Sequence, residues 1–294
     1  MASADLSSAR QLANRAQDQF DALKAKADAF LQQHPWGTEV VSDDKGWSLV
    51  VKIAQQPPED WWLDLGEMAD NARAALNHLA FQLVVGDPNK GRVQFPIFEA
   101  QKDYLGTGGM SSNREKMLVG ISTADRKWID KAQPYNAGAK ATDHPLSILR
   151  SLTDRHKHRQ QHVGAMAIEE YTPMQTVADP HVTAIGLTIS NVENPDPLLD
   201  GHVLHRVEAA QEPEREIDTP PELVEKGWPP RMVLKPSTGI SPDSDVELTV
   251  AFFGDRAFKI DDIGRIQPYV TDLIERFERR IVRKRPRSRP TGKS

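Results

Sequence analysis

Cysteine is absent from this chain of 294 residues, and no apolar run approaches the roughly 20 residues that cross a bilayer. The lack of cysteine excludes disulfides, thiolate metal sites and cysteine nucleophiles, so a bound metal would need His, Asp or Glu ligands. The N-terminus lacks the basic-then-apolar pattern of a secretory signal. We therefore expect a cytoplasmic protein that has no membrane partner.

Several common enzyme motifs are also missing. The glycine-rich run at 106–109 lacks the lysine and the strand-to-helix setting of a phosphate-binding loop. Neither a G-x-S-x-G elbow nor an H-E-x-x-H helix occurs in the sequence. The sequence predicts no cofactor, and it leaves open whether the protein is an enzyme.

Charge is spread unevenly along the chain. The net charge is −5, yet residues 276–294 contain nine Lys or Arg and one Glu. Residues 285–294 have two prolines and no apolar side chain, which predicts a disordered basic tail. Such a tail suits nucleic acid, or it folds back on the acidic remainder of the chain.

Apolar residues recur at helical spacing in four long stretches, at 5–33, 59–85, 145–163 and 261–284. Either Asp143 or His144 is expected to cap the third helix, because Pro145 suits its first position. Short β-type runs separated by Pro, Asp, Asn and Gly fill the region between the third and fourth helices. The sequence therefore predicts the α+β class, as a helical bundle of about four long helices with an antiparallel β-sheet segment inserted before the last helix.

The same patterns predict the domain organisation. A mainly helical region at 1–163 contains a β-hairpin at about 38–55, and an antiparallel β region follows at 164–258. A C-terminal helix at 259–284 is expected to pack back on the bundle, and 285–294 forms the basic tail.

The second predicted helix contains an arginine and a histidine five residues apart. Its core face follows a seven-residue rhythm through Leu65, Ala69, Ala72, Leu76, Leu79 and Leu83. At about 100° per residue, Arg73 and Asn77 flank this face together with Asp70, whereas His78 points about 160° away from Leu76. Arg73, Asn77 and Asp70 are therefore candidate binding residues beside the core.

The third predicted helix concentrates cations and imidazoles beside a leucine stripe. The residues are Arg150, Asp154, Arg155, His156, Lys157, His158, Arg159 and His162. His156 falls on the apolar seam, where a polar group needs a hydrogen-bond partner. The cluster is interpreted as an anion-binding patch, as a divalent-metal site built from Asp154, His158 and His162, or as a solvated charged face.

Two resemblances follow from these motifs. ARAALNHLAFQL, with the later QPY, HPL and L-x-x-L-T-D-R-H-K-H-R, is similar to a bacterial family of uncharacterised proteins with phrases such as LRSALDHLxxxL and LxxxDKHR. This resemblance covers about residues 60–165. The four-helix pattern with Arg73-x4-His78 also resembles the HEPN superfamily, many of whose members carry an Arg-x4-6-His motif and cleave RNA without a metal.

The HEPN resemblance implies a catalytic pair. His78 would assist proton transfer from the ribose 2′-hydroxyl, and Arg73 would stabilise charge on the phosphoryl oxygens. Because the two side chains diverge by about 140° on a regular helix, they could meet on one phosphate only if the helix distorts or if a second protomer of a homodimer completes the site. The first hypothesis is therefore a HEPN-like metal-independent ribonuclease or RNA-binding protein, and the second is a non-catalytic α+β binding or scaffolding protein. A His/Asp metal-binding bundle is a further alternative.

Overall fold

The computed structural model of this chain contains both helices and antiparallel sheets, which confirms the α+β class. The residues described are 5–43, 46–86, 93–106, 112–157, 163–171, 183–189, 197–210, 215–218, 220–227, 229–234, 246–254 and 256–284. The predicted basic tail at 285–294 lies outside them. Within these ranges, no helix is both long enough and apolar enough to cross a membrane.

Helices and strands alternate irregularly along the chain. The helices are α1 (Ser7–Leu31), α2 (Trp61–Gln82), α3 (Gln101–Leu105), α4 (Asn113–Met117), α5 (Thr123–Lys131), α6 (Pro145–Lys157), α7 (Pro221–Val224), α8 (Ile260–Gly264) and α9 (Ile266–Lys284), with a 3-10 helix at Pro134–Lys140. The strands are β1 (Trp36–Asp43), β2 (Gly46–Ile53), β3 (Val163–Tyr171), β4 (Thr183–Ile189), β5 (Val203–Ala210), β6 (Arg215–Asp218), β7 (Arg231–Leu234), β8 (Val246–Phe253) and β9 (Ala257–Lys259).

The chain divides into two compact units. The helical unit comprises Met1–Ala29, Pro57–Gly164 and Val250–Ser294, and the sheet unit comprises Phe30–Gln56 and Ala165–Thr249. The hairpin β1–β2 thus groups with the later strands. The domain boundaries inferred from the sequence stay a prediction.

The helical unit is organised around α2. All six residues of its expected core face are buried, and α2 packs against α6 and α9. Side-chain contacts tie α2 to α1, where Lys26 Nζ lies 2.6 Å from Asp64 Oδ2. A bundle made of four long helices is not confirmed, because α6 has only 13 residues and the short helices α3, α4 and α5 lie between α2 and α6.

Two predicted helices differ from the structure, one in where it ends and one in its continuity. Val163 was expected on the seam of the third helix, but it begins β3. Gly164 is a poor helix former, and the burial of successive residues after it is typical of a strand covered on both faces. The last helix is divided into α8 and α9 because Pro268 has no amide hydrogen to donate to the carbonyl of Gly264.

The sheet unit contains a four-stranded antiparallel sheet in the order β1-β2-β5-β4. The predicted hairpin is confirmed, with Trp36 opposite Ile53. Leu49 and Val50 are both buried although they point to opposite faces, so the centre of β2 is covered on both sides. A separate antiparallel pair joins β6 and β7.

Candidate anion-binding site

The Arg-x4-His motif lies on α2 with its two ends directed towards different helices. Arg73 interacts electrostatically with Asp154 and Arg150 of α6. His78 is exposed, and its Nδ1 lies 3.1 Å from the hydroxyl of Ser8 on α1. Within one chain the structure therefore does not bring Arg73 and His78 onto one reacting group.

Arg73 carries a charge that the chain compensates poorly. Its Nη1 atom is buried and has no hydrogen-bond partner among the described residues. Burial lowers the pKa of Arg73 to about 10; Asp154 opposes this shift and Arg150 adds to it. The guanidinium therefore stays protonated at neutral pH, and a charge held away from water without a close partner costs folding free energy.

Arg150 lies beside Asp154, the carboxylate that also acts electrostatically on Arg73. Its Nε lies 3.3 Å from Asp154 Oδ2, and its Nη1 donates to the carbonyl oxygen of Ile97 at 3.1 Å. The guanidinium also lies over the ring of Phe98, 5.6 Å from the centroid. Arg73 and Arg150 thus place two positive charges near the exposed carboxylate of Asp154.

Asn77 helps to hold a neighbouring segment of irregular backbone in place. Residues 95–99, called the linking segment, form neither helix nor strand. Asn77 Oδ1 accepts a hydrogen bond from the amide of Phe95 at 3.1 Å. Buried Gln133 accepts from the amide of Phe98 at 3.1 Å and donates to the carbonyl of Pro96 at 2.9 Å. The sequence did not reveal this role, although a proline in the apolar run QFPIF was a signal that the run was no ordinary strand.

Several of the remaining predicted site residues lie partly or wholly outside the described part of the chain. Asp70 is half-buried on α2. Arg155 and His156 belong to α6, but their side chains lie outside the description, as do His158 and Arg159 altogether. The proposed metal site depends on His158 and His162, which also lie outside the described residues. Among the residues described, no group of three His, Asp or Glu side chains could hold a metal ion.

Comparisons with protein-family models, curated proteins and solved structures give no match to this chain. The fold and the site together define an α+β protein with a poorly compensated arginine beside a surface ion pair. The resemblances described above rest on the sequence motifs alone.

Proposed function

We propose that the helical unit binds RNA through its phosphate groups, with Arg73 as the principal contact. The observation that carries this proposal is the buried Nη1 of Arg73, which has no acceptor among the described residues. Nη1 itself is enclosed, but the side chain as a whole is only half-buried, so a ligand would approach the guanidinium from the part of the side chain that is open to solvent. A phosphate oxygen would supply the missing counter-charge through a charge-assisted hydrogen bond.

RNA is proposed as the source of the phosphate because of the Arg-x4-His resemblance and the basic residues near the C-terminus. Residues 276–294 contain nine Lys or Arg, which would add sequence-independent attraction to the phosphate backbone. Arg150 would contribute the second positive charge beside Arg73.

Metal-independent cleavage is the more specific form of the proposal. In that form α1, α2, α6 and α9 correspond to the helices of a HEPN-like bundle. Because Arg73 and His78 are directed towards α6 and α1 respectively, His78 would have to come from a second protomer. A homodimer is therefore part of the catalytic proposal, whereas RNA binding through Arg73 does not need one.

The competing proposal is a non-catalytic binding or scaffolding protein. Two observations favour it, since Asn77 and Arg150 are both engaged in holding the linking segment. In that case Arg73 would only contribute to the packing of the helices, and its replacement would leave the affinity for RNA unchanged.

The test measures binding of a fluorescently labelled single-stranded RNA of about 20 nucleotides by anisotropy, in EDTA and at several salt concentrations. The native chain is compared with Arg73→Met and with Arg15→Met, an exposed α1 arginine that serves as the matched control. We expect Arg73→Met to weaken binding about tenfold or more, because one charge-assisted bond is lost. The control should bind as the native chain does.

Equal affinities of the two variants, or no binding by the native chain, would overturn the RNA proposal. The same samples run on a denaturing gel report cleavage. Cleavage in EDTA that His78→Ala abolishes supports the catalytic form, whereas intact RNA at saturating protein overturns that form alone.

A further inference from the structure

We infer that a second, separate site in the helical unit binds an amino-acid-sized ligand that carries a carboxylate together with an ammonium or hydroxyl group. The site is a cleft of about 270 Å³. Its wall residues include Asp143, Ile148, Arg256, Phe258, Asp262 and Arg265. They come from the connection before α6, from α6 itself, from β9 with the residue before it, and from the junction of α8 and α9.

Two arginines are held in position on the wall of the cleft. Arg256 donates from Nη1 to Glu99 Oε1 at 3.1 Å and lies 5.9 Å from the centroid of the Phe258 ring. Arg265 donates from Nη2 to the backbone carbonyl of Asp143 at 3.1 Å. These contacts use only part of the N–H donors of each guanidinium, and the side chains remain 30% and 51% exposed. Each arginine can therefore bind a further acceptor.

The mixed charges on the wall of the cleft disfavour the binding of a polyanion. Asp143 and Asp262 balance Arg256 and Arg265, so the wall carries no formal net charge. Arg265 Nη1 lies 3.5 Å from Asp262 Oδ1, which places cations and carboxylates side by side. A ligand with one carboxylate and one donor group matches both signs, whereas an RNA backbone would meet the two carboxylates.

The volume of the cleft and its apolar lining further restrict which ligands could bind. Ile148 and Phe258 are buried and form an apolar part of the cleft lining, called the floor. A cleft of about 270 Å³ is slightly smaller than typical small-molecule sites, which run from about 300 to 1,000 Å³. A free amino acid or a short hydroxy acid fits this volume, with its carbon atoms against the floor and its carboxylate between the arginines.

The test uses the full chain in isothermal titration calorimetry, with the standard L-amino acids, L-lactate and inorganic phosphate as separate probes. We expect at least one amino acid or lactate to bind with a Kd below about 1 mM and more tightly than phosphate. Arg256→Gln and Arg265→Gln should each weaken that binding about tenfold, and Arg15→Gln should not change it.

The variants can fail for structural reasons, because Glu99 loses its partner in Arg256→Gln. The double variant Glu99→Gln/Arg256→Gln removes both charges together, and a thermal unfolding curve verifies that each variant is folded. Absence of binding by every organic probe, phosphate binding as tight as theirs, or unchanged affinity in folded Arg265→Gln would each overturn the inference. None of these outcomes bears on RNA binding through Arg73.

Discussion

The guanidinium of Arg280 donates from Nε to Oδ1 of Asp125 at 2.7 Å and so connects α9 to the first turn of α5. Asp125 is 6% exposed, and its other carboxylate oxygen lies 2.6 Å from the hydroxyl of Ser122. Ser122 also accepts from the amide of Asp125, which caps α5. One carboxylate thus holds two helices.

Replacing Asp125 by Ala should destabilise the protein, because it leaves Arg280 without its partner and removes a bond from the cap. We expect the free energy of unfolding to fall by about 2–4 kcal/mol in urea titration. The exposed pair Arg276–Asp272 provides the control, since Asp272→Ala should cost less than about 1 kcal/mol. Similar losses in the two variants would contradict the importance of burial at Asp125.

Replacing Arg73 by Met should have the opposite effect on stability. The variant keeps an unbranched side chain but removes a charged group whose Nη1 has no hydrogen-bond partner among the described residues, so we expect the free energy of unfolding to rise by about 1 kcal/mol or more. Arg150→Met should instead lower it by about 1–2 kcal/mol, because the bond to Ile97 and the contact with Phe98 are lost. Chemical denaturation at neutral pH measures both. A destabilised Arg73→Met would mean that Arg73 serves packing.

His144 should make the protein less stable in mild acid. Burial, together with the charge of Arg265, lowers the pKa of His144 below its ordinary value. As the pH falls through that ordinary value, the unfolded chain takes up the proton first, so stability decreases until the folded His144 is also protonated. His144→Asn retains an acceptor for the amide of Leu146 but does not titrate.

The loss of stability from about pH 7.5 to about pH 5 should therefore be smaller in His144→Asn than in the native chain. Urea unfolding at both pH values gives the comparison. Identical pH dependence in the native and His144→Asn proteins would contradict the role of His144.

Gln267 offers a stabilising substitution. Its side chain is fully buried, its Nε2 donates to the sulfur of Met68, and its Oε1 has no hydrogen-bond partner among the described residues. Gln267→Leu removes these polar atoms at similar volume and should raise the free energy of unfolding by about 1 kcal/mol. Gln267→Glu buries a charge at the same position and should lower it by several kcal/mol. A midpoint for Gln267→Leu below that of the native chain would disprove the expectation.

Local patterns in the sequence predicted the elements better than their arrangement. The rhythm of α2 identified its core face, and Pro145 correctly located the helix start that His144 caps. Pairing between distant strands has no local signature, so the joining of β2 to β5 could not be read from either segment. The end of α6 was misplaced because Val163 fits a helical seam and a buried strand equally well.

In the candidate site, too, the sequence predicted features of a single helix but not contacts between helices. Helical angles separated Arg73 from His78, since their positions depend only on one regular helix. The sequence did not reveal that Arg150 shares Asp154 with Arg73, because that contact depends on how α2 packs against α6. The cleft at Arg256 and Arg265 joins residues from several parts of the chain, and no spacing in the sequence brings them together.

The linking segment has a consequence for solvent exchange of its backbone. Its amides at Phe95 and Phe98 donate to the side chains of Asn77 and Gln133 rather than to a neighbouring strand. Deuterium should therefore replace these two hydrogens slowly although the segment has no regular secondary structure. These two hydrogens would exchange faster if α2 or the end of α5 moved away from the linking segment. Their exchange rates would therefore measure how firmly these helices stay packed against it.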